Sequence, residues 1–200
     1  MRLFIAFPIP EHVRAYAREL QNHLRDHGVK GKWVNPDNLH LTVLFLGDQS
    51  DDVVTPVADQ LDQVATNFSP LVLQPAAPAT FGNPPRVLFL SLQASASPTF
   101  AAIAKATQRS VVHAGLELDP KAQRREPVAH LTLVRFRHRR EARHLRSVGR
   151  IENGRFTLRS PFPAPSFDSF TASQLRLYQS TLSPEGPHYT VLHESILTAS

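Results

Sequence analysis

Apolar runs and amphipathic stretches alternate along the chain and predict strands and helices in mixed order. The predicted strands cover residues 3–7, 38–46, 71–73, 87–92 and 128–134, and further strand-like stretches lie near 155–158, 169–178 and 189–197. Helical spacing of apolar residues predicts helices that run from Glu11 towards Gly28, that follow a cap at Asp51 and Asp52, that open at Ser97 and Pro98, and that cover residues 139–148. This order lacks a regular βαβ alternation and is typical of an α+β fold.

Prolines concentrate between the third and fourth predicted strands. Pro75, Pro78, Pro84 and Pro85 all lie there. Because proline cannot donate a backbone hydrogen bond to a strand ladder, the whole segment is predicted to be a turn.

The composition is that of an ordinary globular domain. Hydrophobic residues make up 42% of the 200 positions and charged residues 20%, so we expect one domain over residues 1–200. The sequence contains no cysteine, which excludes disulfides, thiolate nucleophiles and cysteine-based metal sites. The apolar run at 3–7 is too short for a signal peptide or a membrane span. We therefore expect a cytoplasmic protein, a monomer that needs neither a membrane nor an obligate protein partner.

Positive charge is concentrated in one segment. The formal net charge is +5, yet residues 121–159 carry 12 lysines and arginines against Glu126, Glu141 and Glu152, which makes +9 there and −4 elsewhere. Such a segment indicates a polyanionic partner, either nucleic acid or a phosphate ester, although charge alone leaves a solvated arginine-rich surface as the alternative. The arginines that could form a track for an RNA strand are Arg124, Arg125, Arg137, Arg139 and Arg140.

One short motif occurs twice, each time in a predicted strand. Its copies are His40-Leu41-Thr42-Val43 and His130-Leu131-Thr132-Leu133. Since residues two apart share a face of a strand, each histidine lies beside its threonine on a polar face backed by aliphatic residues. A single His-x-Thr strand is no evidence of function, whereas two copies with the same aliphatic flanks favour a shared role.

Two imidazoles and two hydroxyls in one cleft would suit chemistry at phosphorus. The ordinary pKa of histidine, about 6.5, lets one copy act as a base and the other as an acid near neutral pH. In-line displacement at phosphorus uses both groups, and threonine hydroxyls can donate to the phosphoryl oxygens. This arrangement needs no metal and no other cofactor.

Several segments together resemble a known family. They are Arg2-Leu3-Phe4-Ile5-Ala6, Trp33 followed by residues 38–47, residues 85–90, His130-Leu131-Thr132-Leu133-Val134-Arg135, and Gly186-Pro187-His188-Tyr189. In this order they closely resemble the two-histidine (2H) phosphoesterase superfamily, specifically the LigT-like bacterial RNA 2′,3′-cyclic phosphodiesterases, also called 2′-5′ RNA ligases. The resemblance implies a bilobal, pseudo-symmetric α+β fold in which two antiparallel sheets face a central cleft with helices outside.

The same resemblance implies roles for five residues. His40 matches the general acid and His130 the general base that activates water. Thr42 and Thr132 match the threonines that hold the phosphate, and Arg135 matches an arginine that closes the second motif. The implied substrates are cyclic nucleotides and RNA with a 2′,3′-cyclic phosphate end, opened to 2′-phosphomonoesters, with ATP-independent 2′-5′ ligation as the reverse reaction.

Aromatic residues near the motifs are candidates to stack a base. Trp33, Phe45 and Phe7 are considered, with core packing expected for Phe45 and Phe7 and the choice open for Trp33. His23 and His27 have a spacing that can bind a metal, but a solvated surface is the expected role.

Three other functions stay open. One is a phosphodiesterase for another small cyclic phosphate. Another is a non-catalytic RNA-binding module, which would have no need of paired His-x-Thr motifs. A metallohydrolase is the least favoured, because carboxylates near the histidines are sparse.

Overall fold

The computed structural model describes residues 1–94, 99–120, 126–152, 155–158, 163–184 and 186–199. The strands are β1 Arg2–Pro8, β2 Lys32–Trp33, β3 His40–Asp48, β4 Leu71–Phe81, β5 Val87–Ala94, β6 His130–Arg135, β7 Gly149–Glu152, β8 Arg155–Leu158, β9 Phe170–Ala172, β10 Gln174–Ser183 and β11 Gly186–Ile196. The α-helices are α1 Glu11–Asp26, α2 Val54–Thr66, α3 Phe100–His113, α4 Arg139–Ala142 and α5 Leu145–Val148, and short 3₁₀ helices cover Pro36–Asn38 and Asp51–Val53.

Two antiparallel sheets carry the two motifs separately. The first sheet has the order β11-β10-β1-β3 and the second the order β2-β6-β5-β4-β9, while β7 and β8 form a separate hairpin. His40 therefore begins the edge strand of the first sheet, and His130 begins a strand that lies inside the second. The predicted α+β class is confirmed.

A shared apolar core joins the sheets to the three long helices. Helix α1 shows how the sequence builds it, because Val13, Ala17, Leu20 and Leu24 recur at helical spacing and all are fully buried. None of the described helices is long and apolar enough to cross a membrane.

Strand β4 corrects the prediction for the proline-rich segment. The strand continues through Pro75 and Pro78, which pair with Leu92 and Leu90, with a shift of register between them. On the other side of β4, the residues that pair with β9 are Leu71 to Leu73. Both prolines lie beyond that paired stretch, where a missing N–H costs little. The turn that joins β4 to β5 is limited to residues 82–86.

Three other boundaries differ from the prediction or lie outside it. The helix expected over residues 139–148 is divided into α4 and α5, and the strand expected over 169–178 is interrupted at Ser173. Ser97 and Pro98 lie outside the described residues; α3 as described begins after Thr99, whose hydroxyl accepts a hydrogen bond from Ala102 N at 3.2 Å.

Candidate active site

Strand β3 contains a β-bulge directly after Thr42. The residues of β3 that pair along one face of β1 are His40, Thr42 and Phe45, a spacing of two and then three. The extra residue leaves Val43 and Leu44 both buried and turns Phe45 onto the face that carries the histidine. As a result 57% of Phe45 is exposed. The expectation that Phe45 packs in the core is wrong, whereas Phe7 is fully buried as expected.

Strand β6 repeats this arrangement. His130, Thr132 and Arg135 pair along one face of β5, again with a spacing of two and then three. The carbonyl oxygen of the bulged Leu133 accepts hydrogen bonds from Val34 N at 3.1 Å and Gln21 Nε2 at 3.0 Å. These two bonds tie the bulged residue to the segment after β2 and to helix α1. Arg135 consequently shares a face with the histidine and threonine of its motif.

Both imidazoles are oriented by the backbone two residues earlier. Nδ1 of His40 lies 2.9 Å from Asn38 O, and Nδ1 of His130 lies 2.7 Å from Val128 O. A carbonyl oxygen can only accept, so Nδ1–H must donate in each case. The neutral form of each ring therefore keeps a free lone pair on Nε2, the atom that can take a proton from a reacting group.

Asn38 connects the first histidine to the far end of the chain. Its side-chain Nδ2 donates to Pro187 O at 2.8 Å, which ties the 3₁₀ turn before β3 to the start of β11. The backbone carbonyl of the same residue accepts the hydrogen bond that Nδ1–H of His40 donates. One residue thus fixes both the turn and the orientation of the ring.

Aromatic rings surround each histidine. His40 lies 4.7 Å from Phe4 and 5.2 Å, edge to face, from Tyr189, measured between ring centroids. His130 lies 5.0 Å from Phe81 and 5.1 Å from Phe89. The rings remove water from the imidazoles and so disfavour their charged forms.

The pKa values of both histidines are lowered. Burial is the main cause that brings the pKa of His40 down to about 4; its hydrogen bond to Asn38 opposes this, and the charges of Arg135 and His130 add to it. Burial is also the main cause that lowers the pKa of His130, opposed by the bond to Val128 and assisted by Arg135. The two motifs, which lie in different sheets, are therefore close enough for their charges to interact.

The structure does not bring Trp33 to the histidines. Trp33 pairs with the buried Val134 on the side of β6 that faces α1, and the guanidinium of Arg25 covers its ring at 4.5 Å from the centroid. This leaves Phe45 as the exposed aromatic side chain among the proposed base contacts.

The basic segment is described in part. Arg137, Arg139 and Arg140 are exposed directly after β6, while Arg124 and Arg125 lie outside the described residues. The rings of His23 and His27 are 4.2 Å apart. Within the described ranges, no group of three or more His, Cys, Asp or Glu residues is arranged to hold a metal ion.

Asn38 and Tyr189 are site residues that the sequence did not single out. Tyr189 on β11 contacts the ring of His40 on β3, and the side chain of Asn38 bonds to Pro187 on β11, 149 positions away. No local pattern carries this information. A polar residue two positions before a strand histidine is the one signal that could have drawn attention to Asn38.

Comparison with known proteins gives consistent results. The family described as LigT-like phosphoesterase matches residues 7–89, which include the first motif. The chain is 28% identical over 194 residues to the RNA 2′,3′-cyclic phosphodiesterase of Methanocaldococcus jannaschii, covering 97% of this chain and 99% of that one. It is 28% identical over 192 residues to the protein of the same name from Archaeoglobus fulgidus, covering 94% and 96%.

Solved structures agree with the fold. TT0787 of Thermus thermophilus aligns over 100% of both chains with a TM-score of 0.73 and 27% identity. LigT of E. coli, complexed with 3′-AMP, aligns over 98% of this chain and 97% of its own with a TM-score of 0.65 and 21% identity, which supports the fold alone. Residues 7–89 thus match the LigT-like phosphoesterase family, and the chain over nearly its whole length is similar to proteins named RNA 2′,3′-cyclic phosphodiesterase.

Proposed function

We propose that this protein is an RNA 2′,3′-cyclic phosphodiesterase that opens 2′,3′-cyclic phosphate ends to 2′-phosphomonoesters by the acid and base action of two histidines. The observation that carries the proposal is the pair of like strands, each with a histidine and a threonine on one face, which contact each other although they belong to different sheets. The names of the full-length relatives support the same substrate.

The reaction requires one proton to be taken and one to be given. Nε2 of His130 takes a proton from water as the water oxygen forms a bond to phosphorus. The bond from phosphorus to O3′ breaks, and O3′ takes the proton from Nε2–H of His40. The phosphate stays on O2′, His130 leaves the step protonated, His40 leaves it neutral, and exchange with solvent restores both.

The lowered pKa values fit one of these roles directly. His130 is neutral in the free protein at neutral pH and is ready to act as the base. His40, with a pKa of about 4, must gain a proton when substrate binds. The negative charge of the cyclic phosphate supplies the cause, because an anion next to an imidazole favours the imidazolium.

The remaining residues hold the substrate. The hydroxyls of Thr42 and Thr132 donate to the nonbridging phosphate oxygens, and Arg135 balances the charge that develops on them. Phe45 stacks the base of the terminal nucleotide. No metal or cofactor takes part.

Reverse ligation follows from the same geometry. By microscopic reversibility, a hydroxyl that replaces water and attacks the cyclic phosphate while O3′ leaves gives a 2′-5′ linkage without ATP. We also propose that residues 1–200 act as one two-lobed domain, since a single apolar core contains side chains of both sheets.

The test is incubation with adenosine 2′,3′-cyclic phosphate and with an oligonucleotide that ends in a cyclic phosphate, each with and without EDTA. We expect turnover of both, unaffected by EDTA, and a 2′-phosphomonoester identified by phosphorus NMR against 2′- and 3′-nucleotide standards. Binding without turnover would indicate a non-catalytic RNA-binding module. Turnover of ADP-ribose cyclic phosphate alone would indicate another cyclic substrate, and a 3′-phosphate product would reverse the roles of His40 and His130.

A further inference from the structure

A second positive charge lies beside Arg135 on the face of the second motif. Lys32 on β2 is the direct partner of Arg135 in the β2–β6 pair. Side chains directly opposite in an antiparallel pair lie on the same face, with Cβ atoms about 4.5–5.5 Å apart. Because Arg135 shares its face with His130 and Thr132, Lys32 lies on that face too.

The approach of β2 to β6 depends on a glycine. A Cβ on Gly31 would lie 2.6 Å from Val134 Cγ2 and 3.0 Å from the carbonyl oxygen of Arg135. Only a residue without a side chain lets this segment come close enough to pair. The close pairing of the backbone at Gly31 therefore fixes Lys32 opposite Arg135.

Two like charges in this arrangement repel each other. Cations directly opposite in a sheet are destabilising, and both of these side chains are exposed. Within the described part of the chain neither forms an ion pair with a carboxylate, whereas Arg2, Arg18 and Arg176 all do. An anion that binds between Lys32 and Arg135 would remove the repulsion.

We propose that Lys32 and Arg135 form a subsite for the backbone phosphate that precedes the reacting cyclic phosphate in an RNA strand. This inference rests on the proposed function, since it places the reacting phosphate at the histidines and threonines, with Arg135 between that phosphate and the one before it. Thr132 and Arg135 pair with residues of β5 that are two positions apart, so the two side chains are separated by about 7 Å along the strand. Lys32 lies on the neighbouring strand β2, opposite Arg135 and therefore further from His130. The subsite is thus adjacent to the site of the reacting phosphate. An oligonucleotide has a second phosphate that can occupy it, whereas a mononucleotide does not.

The experiment measures binding of reaction products, so it does not depend on turnover. The probes are adenosine 2′-monophosphate, the dinucleotide ApA with a terminal 2′-phosphate, and the same dinucleotide with a neutral methylphosphonate linkage. Dissociation constants are measured by calorimetry for the wild type, Lys32→Gln and the control Lys30→Gln, which removes the same charge from an exposed position two residues earlier.

We expect Lys32→Gln to weaken binding of the ordinary dinucleotide about fivefold, the upper range for a partly exposed ion pair. The other two probes and the Lys30 control should change less than about twofold. The salt dependence of dinucleotide binding should fall by about 0.7 in the slope of log K against log salt, the value for one contact with a single strand. Lys32→Arg should restore both quantities.

Equal losses for the mononucleotide and the dinucleotide, or no loss for either, would overturn the subsite. So would a Lys32→Gln effect of the same size on the methylphosphonate probe. If the wild type binds these products but turns over no cyclic phosphate, the proposed function fails while the subsite stands. Thermal melting of Lys32→Gln checks the fold, and removal of one of two repelling charges should not lower the melting temperature.

Discussion

His40 should change its protonation state when an anion binds beside it. In the free protein its pKa is about 4, so at pH 7 only about one molecule in a thousand carries the proton that the proposed acid must give. A unit negative charge about 4 Å away in a surrounding of effective dielectric about 20 contributes roughly 4 kcal/mol, or about three pKa units. A bound phosphate should therefore raise the pKa of His40 to about 7.

The assay is an NMR titration of protein labelled at histidine. The signal of His40 is assigned by its loss in His40→Ala, and its pKa is followed with and without saturating adenosine 2′-monophosphate. We expect a value of about 4 in the free protein and a rise of about two units or more in the complex. The reasoning is refuted if His40 titrates at the ordinary histidine value of about 6.5 without ligand. If His130 alone rises with ligand, the acid and base labels must be exchanged.

The remaining predictions address the other parts of the site. His40→Ala and His130→Ala should each lower kcat by about 100-fold or more in steady-state assays, because each removes an acid or a base; a mutant with a tenth of wild-type kcat would contradict the assignment. Asn38→Asp keeps the size of the side chain but loses the donor to Pro187, so kcat should fall several-fold with little change in KM, and the NMR signal of His40 should broaden or shift. Phe45→Ala should raise KM about fivefold or more through lost stacking while the melting temperature stays within about 2 °C, since the ring is 57% exposed; the control is Leu182→Ala, which is 72% exposed. Because the pKa of His40 is lowered on folding, the free energy of unfolding should have its full value above about pH 6.5 and should decrease as the pH falls from there through about 4. Denaturant titrations at several pH values should show a smaller decrease for His40→Asn than for the wild type.

The sequence correctly predicted the two strands that carry the motifs, but it did not predict how these strands pair with their neighbours. Alternation correctly put each histidine beside its threonine, because residues two apart share a face whatever the strand pairs with. The bulges after Thr42 and Thr132 were missed, since they arise from the register with β1 and β5. For that reason nothing in the local pattern indicated that Phe45 leaves the core.

Long-range contacts explain the other omissions. The ring of Tyr189 reaches His40 from the last strand of the described chain, and Lys32 meets Arg135 through pairing of a two-residue strand. Neither contact is indicated by the periodicity of apolar residues in the sequence. Pro75 and Pro78 were assigned to a turn because the sequence does not reveal that β9 pairs with only the first residues of β4.

The two motifs follow the same pattern until the fifth residue after the histidine, where one has Phe45 and the other Arg135. Each bulge turns this residue onto the face of its own histidine, so an aromatic ring lies on the sheet of His40 and a cation on the sheet of His130. A nucleoside whose base stacks on Phe45 brings its ribose to the His40 side of the phosphate. In the proposed reaction, O3′ of that ribose lies on the His40 side and leaves phosphorus, and in-line displacement requires water to attack from the opposite side, the side assigned to His130. If the base stacks on Phe45 as proposed, the unequal fifth residues therefore favour His40 as the acid and His130 as the base.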